Sequence, residues 1–106
     1  MRRRKASVPL RAQDVPALRA FCRAYLHEDA IALYGSAAGA VEAFRADAPG
    51  DDVEALAREW ATFVQMTKGQ PLAAVRSLLT DTLGARWHPA TRREIDEVTD
   101  ALNARR

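Results

Sequence analysis

Apolar residues recur at three- and four-residue intervals along most of this chain, and no stretch alternates at period two for long enough to be a strand. The first stripe is Val15, Leu18, Phe21, Cys22, Tyr25 and Leu26. It predicts a helix over about 15–26, with Asp14 as N-cap, Pro16 in a tolerant first turn, and Arg19 and Arg23 on the wet side. Ile31, Leu33 and Tyr34 predict a short second helix within 28–34, ended by Gly35 in a left-handed turn. Ser36 then caps a third helix, 37–46, whose stripe is Ala37, Ala40, Val41 and Phe44. Gly39 inside it is expected to weaken it by roughly 1 kcal/mol relative to alanine.

Ala48-Pro49-Gly50-Asp51 is a clear break. Asp51-Asp52-Val53-Glu54 reads as an acidic capping box for a fourth helix over 52–67, with Glu54 and Arg58 as an i, i+4 ion pair. Its inward stripe is Val53, Leu56, Ala57, Trp60, Phe63, Val64 and Thr67, and Gly69 stops it. Pro71 opens a fifth helix lined by Leu72, Val75, Leu78, Leu79 and Leu83, with Gly84 just past its end. A loop through Arg86-Trp87-His88-Pro89 leads to Thr91, which forms a capping box with Glu94 ahead of a last helix over 92–103. Ile95, Val98 and Leu102 face inward there. These elements predict an all-α, single-domain bundle of five to six short helices over 14–104, preceded by a basic tail at 1–13.

Composition sharpens this picture in two places. A chain of 106 residues that is 48% hydrophobic can bury one core without staples. The single cysteine, Cys22, excludes an internal disulfide and fits a reducing cytosol. No apolar run approaches the ~20 residues a spanning helix needs, and none follows Arg2–Lys5 as a signal peptide requires. A cytoplasmic protein is the expectation.

Charge is unevenly spread. The formal net charge is +2, but without the four bases of residues 2–5 and the two at Arg105 and Arg106 the body carries ten bases against fourteen acids, a balance of −4. Residues 28–59 hold Glu28, Asp29, Glu42, Asp47, Asp51, Asp52, Glu54 and Glu59 against Arg45 and Arg58, a balance of −6. Such a surface attracts basic partners and repels nucleic acid, unless it is merely a solvated face.

The residue types capable of chemistry do not combine. His27, Glu28 and Asp29 are consecutive, so on a helix they point about 100° apart and cannot converge on one metal or proton. A better reading makes His27 the end of the first helix, a partly charged imidazole near its negative pole, and Asp29 the cap of the second. His88 is remote in sequence, and only a meeting with His27 in space would supply a metal or catalytic pair. Cys22 on an apolar face reads as packing. Gly35-Ser36-Ala37-Ala38-Gly39 lacks the Gly-Lys-Ser/Thr ending of a phosphate loop. Trp60 reads as core, and Trp87 as either the closure of the core or an interface anchor. No catalytic residue, cofactor or metal site is expected.

The stretch FCRAYLHEDAIALYGSAAGAVEAF resembles a family of small helical immunity proteins from bacterial contact-dependent growth inhibition systems. Tyr25, His27, Asp29, Tyr34, Gly35, Ala43 and Phe44 carry the resemblance, with Leu83-Gly84 and Pro89 at a later turn; it spans roughly 14–103. It implies a non-enzymatic protein that binds, one-to-one, the toxic C-terminal domain of a surface-exported effector. That domain is frequently a nuclease, and its active site or substrate groove is blocked. No membrane or direct nucleic-acid contact is implied.

An acidic segment suits a partner that grips phosphate and therefore presents a basic surface. The expected contact residues are Asp47, Asp51, Asp52 and Glu54, followed by Glu28, Asp29 and Glu42. Two other classes remain: a nucleic-acid or general interaction module using Arg2–Lys5, Arg92 and Arg93, and an enzyme built on His27 and His88. Salt-dependent nucleic-acid binding separates the first, and a metal assay the second.

Overall fold

A computed structural model describes residues 10–104, so the basic residues 2–5, Arg105 and Arg106 lie outside the described residues. A 3₁₀ turn, Ala12–Asp14, precedes α1 (Pro16–Tyr25), α2 (Ala30–Tyr34), α3 (Ala37–Asp47), α4 (Gly50–Met66), α5 (Leu72–Ser77) and α6 (Arg92–Asn103). Among the described residues there is no strand, and the all-α expectation holds. Leu10 is buried with the core, so packing begins ahead of α1.

The start of α1 differs from expectation. Asp14 does not cap it: that residue ends the 3₁₀ turn, its carboxylate accepting from Arg11 N at 3.2 Å. Val15 occupies the N-cap position and has no side-chain acceptor to offer. The missing acceptor comes from α4, where Glu59 Oε1 takes the Leu18 N–H at 2.9 Å. One carboxylate thus satisfies an otherwise orphaned amide and fixes α1 against α4. Glu59→Ala is expected to cost about 1–2 kcal/mol, and Glu59→Gln, which keeps an acceptor, distinctly less. Urea midpoints at unchanged m-value would measure both.

Other caps also depart from the local reading. Asp29 precedes α2 but makes no side-chain cap; instead its own N–H donates to His27 Nδ1 at 3.1 Å. In that geometry Nδ1 is the acceptor for the amide at the N-cap of α2. The acidic capping box of α4 does not form: Pro49 is the N-cap, and Asp51 and Asp52 lie within the first turn. There they still favour the helix through its positive end. The Glu54–Arg58 ion pair does not close; the ion pairs among the described residues are Arg11–Asp14 and Arg93–Glu97. Pro71 is likewise at the N-cap of α5 rather than in its first turn.

Two expected caps are present. Ser36 Oγ accepts from Gly39 N at 2.9 Å, and Thr91 with Glu94 forms the capping box of α6, Glu94 Oε2 accepting from Thr91 N at 3.3 Å and also from Ala90 N at 2.7 Å.

The fifth helix breaks earlier than its leucines suggest. After Ser77 the chain widens into one π turn, Leu78–Thr82, with Leu83 N donating to Leu78 O at 3.1 Å. Ala85 N then donates to Leu79 O, six residues back, at 2.8 Å around Gly84 in its left-handed conformation, one residue wider than the usual helix-ending turn because the π turn precedes it. Beyond it, Ala85, Trp87 and Pro89 are buried while Arg86 and His88 are exposed. This extended strap is held by Arg86 N on Leu26 O at 2.6 Å and by Arg76 Nε on Pro89 O at 2.7 Å.

The core gathers Leu18, Phe21, Val41, Leu56, Phe63 and Leu79 from α1, α3, α4 and the α5 extension. Each such side chain contributes about 1.5–3 kcal/mol by leaving water. α6 closes the bundle through two cross-links. Trp60 Nε1 donates to Thr99 Oγ1 at 2.8 Å, and the Arg45 guanidinium donates to Ala101 O at 2.5 Å and Ala104 O at 2.6 Å. A fixed cation at the last carbonyls of α6 suits the negative end of that helix.

Candidate partner-binding surface

One end of the bundle collects five of the fourteen acids. Phe44 of α3 meets Phe21 and Tyr25 of α1 edge-on, each at 5.4 Å between ring centroids. Tyr25 also stacks on Phe21 at 5.5 Å and on Tyr34 at 5.8 Å, with His27 tilted against Tyr34 at 6.5 Å. Beyond the rings, Tyr25 Oη donates to Asp47 Oδ2 at 3.5 Å. The C-terminal ends of α1 and α3 are therefore adjacent. Only Ala48 and Pro49 separate α3 from α4, so the N-terminus of α4 starts at the same end. The Glu59–Leu18 bond shows α4 running back along α1.

This topology brings Glu28, Asp29, Asp47, Asp51 and Asp52 to one end, all exposed. Glu54 is exposed one turn further into α4, and Glu42 is exposed but set back along α3. Glu59, which contributed to the −6 balance, is spent inside the fold as the cap of α1. Burial, then the Asp47 carboxylate and the Tyr34 phenol, raise the Tyr25 phenol above the ordinary tyrosine range. It stays protonated and able to donate to Asp47. Tyr25, His27, Tyr34, Gly35 and Phe44, singled out in the sequence as a motif, are the aromatic cluster of this end and the turn that shapes it.

Two residues here escaped the sequence reading. Ile31 and Leu33 of α2 point into solvent. The signal was present: residues two apart on a helix diverge by about 200° and cannot share one buried face.

The remaining candidates are dispersed. His27 lies against Tyr34, whereas His88 is exposed with Nδ1 3.4 Å from Thr80 Oγ1. No cluster of three metal-ligating side chains occurs among the described residues. Cys22 is buried, and burial pushes its thiol up to about 12, which leaves it a packing group. Trp87 is buried and closes the core rather than anchoring an interface. Arg92 donates to Gln70 O and Arg93 pairs with Glu97 at 3.8 Å. At the opposite end of α4, an open groove of about 490 Å³ is lined by Thr67, Lys68, Gln70 and Arg92 among others. Among the described residues no helix is long and apolar enough to cross a membrane.

The fold and this surface define a small helical protein whose most developed exterior feature is an acidic, aromatic-backed end. The family model for the CdiI immunity protein matches residues 14–103, and the chain belongs to that family, the immunity proteins of contact-dependent growth inhibition. No curated protein and no solved structure matches it.

Proposed function

We propose that this protein neutralises the toxic C-terminal domain of a contact-dependent growth inhibition effector by binding it one-to-one in the cytoplasm. The family match over 14–103 carries the reading, and the acidic end supports its chemistry. The toxin is a nuclease in this reading, so its phosphate-gripping groove is basic. Exposed carboxylates at Asp47, Asp51, Asp52 and Glu54, with Glu28, Asp29 and Glu42 around them, take the place of phosphates in that groove. Blocking a groove needs shape and charge, with no catalytic group, metal or cofactor in the inhibitor.

The direct test is growth. The toxin domain encoded beside this gene is expressed in a test bacterium with and without this protein, and the two are co-purified. Rescue with a stable one-to-one complex supports the reading; killing that continues with no complex overturns it. A kinetic test addresses the carboxylates. Charge reversal of Asp51 and Asp52 together is expected to slow association about tenfold or more at low salt. The difference should shrink as salt screens the charges. Because both side chains are exposed, the fold should lose no more than about 1–2 kcal/mol, through their favourable place at the start of α4. Unchanged association at low salt would remove this pair from the steering surface.

A further inference from the structure

The helix α2 stands outward in an unusual way. Its anchor is small: Ala30 is 2% exposed, and Tyr34 leans on Tyr25. Ile31 and Leu33, the two largest aliphatic residues of this segment, are 53% and 64% exposed, and Ala32 between them is exposed as well. At about 100° per residue, Ile31 and Leu33 flank Ala32 on either side of the outward direction. Together with Ala32 they make the whole outward half of α2 apolar, a convex ridge with one large aliphatic on each flank that a partner's cleft must straddle. Single exposed hydrophobics are ordinary, but three in succession on a five-residue helix are not. Propensity alone does not hold so short a helix. The His27 Nδ1 acceptor before it and Gly35, with φ of 82°, after it hold the ridge in place.

The rim of the ridge is acidic. Glu28 and Asp29 lead into α2, and Asp47 is joined to the same cluster through Tyr25. We propose that the Ile31–Leu33 ridge is the apolar centre of the toxin interface, seated in an apolar cleft whose edge is basic, with Glu28, Asp29 and Asp47 against that edge. This rests on the immunity reading above. A second copy of this chain is a poorer occupant. A two-fold contact through α2 would set Glu28 and Asp29 near their own counterparts, like charge on like. A desolvated apolar centre governs dissociation, whereas the Asp51–Asp52 pair governs approach, so the two surfaces act on different rate constants.

The test uses the purified complex with the toxin domain encoded beside this gene. Ile31→Ser with Leu33→Ser is compared with wild type and with Met66→Ser. Met66 is 40% exposed at the far end of α4, about 25 Å from its start, and serves as the control. The double variant is expected to raise Kd by roughly 30-fold, mostly through faster dissociation, while Met66→Ser stays within about twofold. Hydrogen exchange on the wild-type complex should show new protection at the amides of 30–35, a readout independent of whether the double variant folds. A folded double variant that binds like wild type, or no new protection at 30–35, overturns the inference while wild-type rescue keeps the immunity reading intact. A wild type that neither rescues nor binds overturns both. A wild-type dimer dispersed by the double variant in sedimentation would show that the ridge serves a second copy and overturn the choice of partner.

Discussion

Gly39→Ala is expected to destabilise the protein by about 2–3 kcal/mol, although alanine is the better helix former by roughly 1 kcal/mol. The reason is the tight passage from α2 to α3, where only Gly35 and Ser36 intervene. It presses the last carbonyl of α2 onto the first turn of α3. A Cβ on Gly39 would fall far inside contact distance of Tyr34 O and 3.1 Å from the carbonyl carbon of the same residue. Both atoms are backbone, so relief requires prising the two helices apart. That movement also strains the Ser36 cap, whose acceptor serves the Gly39 amide. Gly50 is the control. It begins α4, and a Cβ there meets nothing within 4 Å, so Gly50→Ala should be neutral or slightly stabilising. Urea denaturation of the pair decides the matter: a Gly39→Ala protein as stable as wild type would show that the turn yields at no cost.

Trp60→Ala should cost about 3–5 kcal/mol, the range for deleting a buried aromatic. Trp60 is 3% exposed, lies 5.2 Å from Phe63 between ring centroids, and reaches from α4 to α6 through its bond to Thr99. The contrast with Trp87 isolates the polar part of this effect. Trp87 is nearly as buried, yet its indole N–H has no hydrogen-bond partner among the described residues. Replacing each by phenylalanine removes a similar amount of ring. Only at position 60 does the change also break a hydrogen bond and leave Thr99 Oγ1 short of a donor. Trp60→Phe should therefore be about 1 kcal/mol more costly than Trp87→Phe. Circular dichroism in urea measures both without relying on the indole signal. Equal costs would mean that the Thr99 bond contributes nothing net.

Both predictions turn on contacts that local patterns do not contain, and the same division runs through the whole protein. Helix content, the breaks at Gly35, Pro49, Gly69 and Pro71, the Ser36 cap and the Thr91–Glu94 box were legible in the sequence. Each depends on groups within four or so residues of one another, where backbone sterics and nearby side chains dominate. The apolar stripes were legible for the same reason, since helical spacing alone decides which residues share a face. The acids were visible as a cluster along the chain.

What the sequence did not contain is the identity of distant partners. Leu18 and Glu59 are 41 residues apart, and Tyr25 and Asp47 are 22 apart. Only the packed bundle makes Glu59 a cap rather than a surface charge, and only it ties the aromatic motif to the acidic end. Gly39 changes from a weakness to a requirement for the same reason, because the carbonyl it accommodates belongs to the preceding helix. Ile31 and Leu33 are hydrophobic by composition but outward by geometry, since a five-residue helix anchored by Ala30 has no second face to bury. By itself the sequence determined an all-α chain, its helix boundaries to within a turn, and an acid-rich middle, because these follow from interactions along the chain. Which carboxylates remain free for a partner, and where an apolar ridge stands beside them, was decided by the tertiary structure, because burial and hydrogen bonding between helices assign each side chain to the interior or to the surface.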